Sequence, residues 1–111
     1  AGLCCGEPNI LGWDILRNHA TAFVSCPDWV TARGMRTLGA PEKGDPRVIS
    51  GESGAVTTGL VETLMLDPEY AELKELIGLD KTSSVLCFST EGDTDPDQYR
   101  RIVWEGEYPT C

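Results

Sequence analysis

Val85-Leu86-Cys87-Phe88-Ser89-Thr90-Glu91-Gly92-Asp93-Thr94-Asp95-Pro96 is the stretch whose reading decides the fold. Four apolar residues follow polar Lys81-Thr82-Ser83-Ser84, a pattern that predicts a short strand buried on both faces, as in a parallel sheet covered by helices. The character then changes to small, hydroxylated and acidic residues. Asp95 is placed to N-cap a helix, Pro96 fits its first position and Gln98 completes a capping box. A strand that ends in a hydroxyl-rich loop before a helix lies at the carboxyl edge of an open α/β sheet, where such sheets bind ligands.

Working outward, the remaining chain reads as helices alternating with short strands. Residues Leu11 to His19 carry Leu11, Ile15 and Leu16 at helical spacing, with Trp13 on the flank, and Thr21 to Ser25 reads as a strand. Cys26-Pro27-Asp28 starts a helix that Gly39 closes, with Arg33 and Arg36 toward its end, where the helix dipole favours cations. Ala40 to Pro46 is a polar loop and Arg47-Val48-Ile49 a candidate strand. Ser50-Gly51-Glu52-Ser53-Gly54-Ala55 precedes a helix carrying Val56, Leu60, Val61, Leu64 and Met65, read as well buried. Asp67-Pro68-Glu69 starts another helix, with Tyr70, Leu73, Leu76 and Ile77 as its apolar stripe and Gly78 as its stop. A last helix runs from Pro96 to about Glu105, with Tyr99, Ile102 and Val103 facing inward. The expectation is an α/β class: a short, mostly parallel sheet with flanking helices, too small to stand alone.

Composition narrows the function. A net charge of −9 over 111 residues argues against nucleic-acid and anionic-membrane partners, both of which demand a basic face, and favours a small-molecule site. No apolar run approaches a membrane span, and Ala1 to Cys5 has neither the basic segment nor the apolar core of a signal peptide. The five cysteines are odd in number and lack CxxC spacing, so they read as mostly reduced thiols in a cytoplasmic protein, without a disulfide framework or zinc site. The opening Gly/Pro/Cys loop looks cut from something longer, although a fraying terminus has the same appearance.

Several groups are candidates for chemistry, each beside a plainer reading. Ser50 to Ala55 at a helix start is placed to bind an anion through backbone N–H groups, or is an ordinary strand-to-helix turn. Glu91, Asp93 and Asp95 resemble an acidic metal site, but Asp95 is better explained as a cap. His19, at a helix end, is a favourable charge there. Cys4-Cys5 is a candidate redox-active pair, but no activating neighbour stands near it in the sequence, so both read as structural.

The order of these pieces resembles the C-terminal third of threonine-dehydratase-like enzymes that use pyridoxal phosphate, of fold type II. The pieces are Gly2-Leu3, Phe23-Val24-Ser25, a helix, Glu52-Ser53-Gly54-Ala55, and an apolar segment ending in Ser89. The sequence departs from that family's Glu-Pro-Ser-Gly-Ala-like and Ser-Gly-Gly-Asn-like turns. In doing so it resembles the diaminopropionate ammonia-lyase branch through Cys5-Gly6-Glu7-Pro8-Asn9, Leu11-Gly12-Trp13, Ile49 to Val56, Ser89 to Asp95 and Val103-Trp104-Glu105-Gly106.

The resemblance implies elimination of the β-amino group of 2,3-diaminopropionate to give pyruvate and ammonia, with pyridoxal phosphate as electron sink. It implies that Ser89 hydrogen-bonds the pyridine nitrogen, with Thr90 a neighbouring candidate, and that Glu52 and Ser53 line the same cavity. A lysine must hold the cofactor aldehyde between turnovers, and Lys43, Lys74 and Lys81 are each unsuitable: one in a Pro/Gly loop, one on the polar side of a helix, one in a turn. The family places its cofactor lysine, phosphate loop and acidic catalytic residue earlier in the chain. Residues 1–111 are therefore expected to be the C-terminal part of a lyase, homodimeric as its relatives suggest, supplying one wall of the cofactor site and no catalytic base. A threonine/serine dehydratase-like fragment and a non-catalytic α/β binding module are the alternatives.

Overall fold

The computed structural model describes residues 5–109, so Gly2, Leu3 and Cys4 lie outside the described residues. Among those described, the chain forms five α-helices: α1 (Ile10–His19), α2 (Asp28–Gly39), α3 (Glu52–Leu66), α4 (Ala71–Leu76) and α5 (Pro96–Val103). A 3-10 turn, Pro68–Tyr70, leads into α4.

The expected short parallel sheet is absent from the described residues. The segments read as strands, 21–25, 47–49 and 85–88, are irregular chain. A strand is defined by its partner's backbone as much as by its own side chains, and none of these segments pairs with another in a ladder. Their apolar side chains lie at the surface instead: Leu86 is 77% exposed and Phe88 70%. Single backbone bonds hold the chain here: Val48 N–H donates to the Leu38 carbonyl at 2.9 Å, and Gly51 N–H, just past the 47–49 segment, to the Glu91 carbonyl at 2.9 Å.

The helices follow the sequence closely. Asn9 caps α1, its side chain accepting from Gly12 N–H at 2.9 Å, and Asp95 caps α5 by accepting from Gln98 N–H at 3.0 Å. Only this half of the α5 capping box forms, because the Gln98 side-chain oxygen is taken by Arg101. Pro96 occupies the first turn of α5, where a missing N–H costs nothing.

The core joins α2, α3 and α5 through Ala32, Met35, Ala55, Tyr99 and Ile102, flanked by Leu38 and Val103. α4 packs on α3, whereas α1 packs against no other helix among the described residues. All of α1 is at least partly exposed, and its Trp13 ring meets Phe23 at 5.8 Å.

α3 buries a different face from the one its large aliphatics suggest. Gly54, Ala55, Gly59, Thr63 and Leu64 are buried, while Val56, Leu60, Val61 and Met65 are half-buried. Close approach of two backbones explains the difference. A Cβ on Gly59 would collide with the Val30 carbonyl oxygen and lie 2.9 Å from Gly34 N, and one on Gly34 would collide with the Ala55 carbonyl and lie 2.7 Å from Gly59 N. α2 and α3 cross with no side chain between them at this point.

Two arginines on α2 then fix the neighbouring elements, a tertiary role beyond the dipole effect read from sequence. Arg33 grips Asp67, at the end of α3, through bonds of 2.6 and 3.1 Å and also donates to Thr63 Oγ1 at 3.1 Å. Arg36 Nε donates to the Ile102 carbonyl at 3.0 Å, and its guanidinium reaches the carbonyls of Glu107 and Tyr108. The Ile102 carbonyl at the end of α5, which lacks a helical partner, is thereby satisfied, and the chain beyond the helix is tied to α2.

Because the Gly59 contacts are backbone atoms that cannot swing away, Gly59→Ala should destabilise the fold by about 3 kcal/mol. Gly92, where an added Cβ meets nothing within 4 Å, provides the control: Gly92→Ala should stay within about 0.5 kcal/mol. Urea unfolding of the two variants measures both.

Candidate functional site

α3 begins without a capping side chain. Its N-cap is Gly51, so the N–H groups of its first turn must find acceptors elsewhere. Glu91 supplies one for Ser53 and another for the N-cap itself. One Glu91 carboxylate oxygen accepts from Ser53 N–H at 3.2 Å and from the Ser53 hydroxyl at 2.5 Å. The other accepts from the Thr94 hydroxyl at 2.5 Å. The Glu91 main-chain carbonyl accepts from Gly51 N–H. A carboxylate at a helix N-terminus is also favoured by the dipole.

These bonds draw the loop 89–94 onto the start of α3, and two glycines make the approach possible. A Cβ on Gly51 would lie 2.5 Å from the Gly92 carbonyl, and one on Gly54 would collide with Ser50 Oγ and lie 2.8 Å from Ser89 Oγ. The smallness of Ser50 to Ala55 thus serves contact with the chain's own loop. Of the two readings of that segment, anion site or turn, the geometry favours the turn, since Ser53 N–H and Gly51 N–H are already engaged by Glu91.

Ser50 and Ser89 are brought together by this closure. Ser50 is fully buried at 0% exposure, and its Oγ lies 2.9 Å from Ser89 Oγ. Longer contacts of 3.3 Å run from Ser50 Oγ to the carbonyls of Gly51 and Glu91. Ser89 and Thr90 are exposed, and Glu52 and Ser53, at the start of α3, are half-buried. The site therefore gathers Ser89, Glu52 and Ser53 around one helix end, with Thr90 next along the chain.

Glu91, Asp93 and Asp95 do not form a metal centre. Among the described residues no group of acidic, histidine or cysteine side chains is arranged to hold an ion; Glu91 turns to Ser53 and Thr94, and Asp95 caps α5. Sequence reasoning named Ser50 only within the Ser50 to Ala55 segment and missed its contact with Ser89 and the stapling role of Glu91. The signal was there in α3, a helix whose N-cap glycine has no side chain to offer and so requires an acceptor from elsewhere.

Comparison with known proteins was decisive for ancestry. No family model matches the chain. Over 108 residues it is 56% identical to diaminopropionate ammonia-lyase of Escherichia coli strain K12, covering 97% of this chain and 27% of that protein. It is 50% identical over 107 residues to the enzyme of the same name from Salmonella typhimurium, covering 96% of this chain and 26% of the relative. The chain is homologous to diaminopropionate ammonia-lyase. A crystal structure of the E. coli ammonia-lyase in complex with an aminoacrylate-PLP azomethine reaction intermediate superposes with a TM-score of 0.93 at 55% identity, over 100% of this chain and 29% of that one. The chain thus spans little more than a quarter of the length of these ammonia-lyases.

The Glu91 network gives stability a pH signature. Hydrogen bonds from the Ser53 hydroxyl, then the Thr94 hydroxyl, hold its carboxyl below the ordinary carboxylate range. Its unfolded value is about 4.3; the folded value is lower, so its contribution is complete above that pH and lost as pH falls through the folded value. Glu91→Gln should be less stable than wild type at neutral pH, and the two should converge as pH falls through the lowered folded value. Thermal melts across pH 3 to 7 (roughly the span of the carboxylate transition) read out the difference.

Proposed function

We propose that the chain is the C-terminal part of a pyridoxal phosphate-dependent lyase that eliminates the β-amino group of 2,3-diaminopropionate, giving pyruvate and ammonia. In this reading residues 1–111 form one wall of the cofactor site, with Ser89 as the partner of the pyridine nitrogen. The observation that carries it is the hydroxyl pair at the start of α3: Ser89 Oγ is held 2.9 Å from the buried Ser50 Oγ while Ser89 itself remains exposed.

The donor set suits such a ring. A pyridine nitrogen needs one in-plane partner, and a neutral hydroxyl provides it without enforcing protonation. The Glu91 carboxylate, two residues along from Ser89, is committed to Ser53 and Thr94. When bound, the cofactor supplies an electron sink for carbanion chemistry. Ser89 orients the ring by donating to its nitrogen. Glu52, at the first position of α3, and Ser53, through its bonds to Glu91, shape the same wall. Thr90 is the neighbouring candidate for the ring contact.

The lysine that would carry the cofactor is assigned to a part of the enzyme outside this chain. Lys43 is in the 40–50 loop, Lys74 on α4 and Lys81 in the 80–84 turn, and none of them bonds to the Ser50, Ser89 and Glu91 cluster. Two facts support the view that more protein covers this wall. The chain spans only 27% of the E. coli relative, and Val85, Leu86 and Phe88 expose apolar surface directly beside the site. We assign the complete enzyme to the homodimeric class, with the exposed apolar side of α1 as available contact surface. The compartment is assigned as the cytoplasm on the free thiols of Cys26 and Cys87. No helix among the described residues is long and apolar enough to cross a membrane.

Substitutions at two adjacent residues test the ring contact in the full-length holoenzyme. Ser89→Ala should weaken cofactor binding by about 1 kcal/mol and lower activity modestly. Ser89→Asp should favour a protonated ring nitrogen and move the cofactor's absorption band. Thr90→Ala should do neither. A spectrum that responds to Thr90 substitutions and ignores those at Ser89 would move the contact by one residue.

A further inference from the structure

We propose that Ser50 is a positioning residue whose buried hydroxyl donates to Ser89 Oγ, leaving the Ser89 proton free to point outward at the ring nitrogen of the cofactor. This rests on the assignment of Ser89 as ring partner and extends it to a residue that itself never touches the ring.

A serine hydroxyl has one proton to give, so the direction of the Ser50–Ser89 bond decides what Ser89 offers to a ligand. If Ser89 donated inward to Ser50, it would present only lone pairs outward, and two acceptors would face each other across the contact with a neutral pyridine nitrogen. The surroundings of Ser50 favour the opposite direction. Three acceptors lie within its reach. The two carbonyls are longer contacts at 3.3 Å, and each already accepts a backbone bond: Gly51 from Ala55 N–H at 3.0 Å and Glu91 from Gly51 N–H at 2.9 Å. Ser89 Oγ is the shortest contact, at 2.9 Å. Donation from Ser50 to Ser89 therefore uses the shortest bond and the oxygen with more unused acceptor capacity. It also polarises the Ser89 hydroxyl, strengthening its own donation further along the chain of hydrogen bonds.

The space around the pair is built for it. Gly54 gives up its side chain where a Cβ would strike Ser50 Oγ and press on Ser89 Oγ. Glu91, through Gly51 and Ser53, keeps the Ser89 loop seated on α3, so the two hydroxyls meet at a fixed separation. Ser50 is at 0% exposure, which removes water as a competing donor to the inner side of Ser89.

A double-mutant cycle on pyridoxal phosphate affinity in the full-length protein tests the proposal, with the cofactor's absorption recorded alongside. Ser50→Ala alone should weaken cofactor binding about fivefold, the loss of one neutral hydrogen bond, and shift the cofactor band in the same sense as Ser89→Ala. In a Ser89→Ala background the same substitution should have no further effect on affinity or spectrum, because Ser50 acts only through Ser89. Ser50→Cys, which keeps a side chain of the same shape but is a poor donor, should reproduce the Ala phenotype, and it replaces Ala in the cycle if Ser50→Ala fails to fold. Equal losses in both backgrounds would show a purely structural role and overturn the proposal. A Ser89→Ala variant that binds and absorbs like wild type would instead overturn the ring assignment itself, and this inference with it.

Discussion

The contact on which the rest depends is the one between two backbones, where Gly34 on α2 meets Gly59 on α3 with no side chain between. Glycine is an expensive residue in a helix interior, costing about 1 kcal/mol each relative to alanine. The cost is offset by letting α2 and α3 approach until carbonyl and glycine carbon nearly touch. Arg33 locks the crossing at the far end of α3 through its fork on Asp67, an ion pair of 2.6 Å shielded on both partners. With crossing and clamp in place, the start of α3 is fixed relative to the core of Met35, Tyr99 and Ile102, and the loop at Ser89 has a rigid surface on which to close.

The second dependence is electrostatic. Helix N-termini attract anions, and α3 satisfies that attraction with the chain's own Glu91 carboxylate. The consequence is structural before it is chemical: a loop rich in hydroxyls and glycine, with little to hold it by packing, is fastened by a single side chain with three hydrogen-bond donors on it. The same carboxylate is committed to Ser53 and Thr94, so Ser89, the residue proposed to meet the ring nitrogen, stands two positions away as a neutral hydroxyl.

Helices were legible in the sequence because their signals are local. The Asp95-Pro96 start, the Pro27 start and the Gly39 and Gly78 stops all fall within a residue or two of the observed ends. The three strands were misread because an apolar run reports only that a segment is to be covered, whereas a ladder needs a second backbone that sequence pattern does not locate. Val85 to Phe88 has the composition of a buried strand and stands unpaired at the surface. The buried face of α3 was misjudged for a related reason. Large aliphatics suggested burial by volume, but glycines and alanine make the closest contacts. At the candidate site, Ser89, Glu52 and Ser53 were named from the resemblance alone, while Ser50 was read only as part of the Ser50 to Ala55 segment because its contact with Ser89 lies 39 residues along the chain.

A crystal structure of the full-length protein with pyridoxal phosphate bound is the most direct measurement. The account predicts Ser89 Oγ at hydrogen-bond distance, about 2.7–3.0 Å, from the pyridine nitrogen, with Ser50 Oγ still bonded behind it and Glu91 still on Ser53. A ring nitrogen met by a carboxylate, or by any group outside the Ser89 loop, with Ser89 turned away, would contradict it.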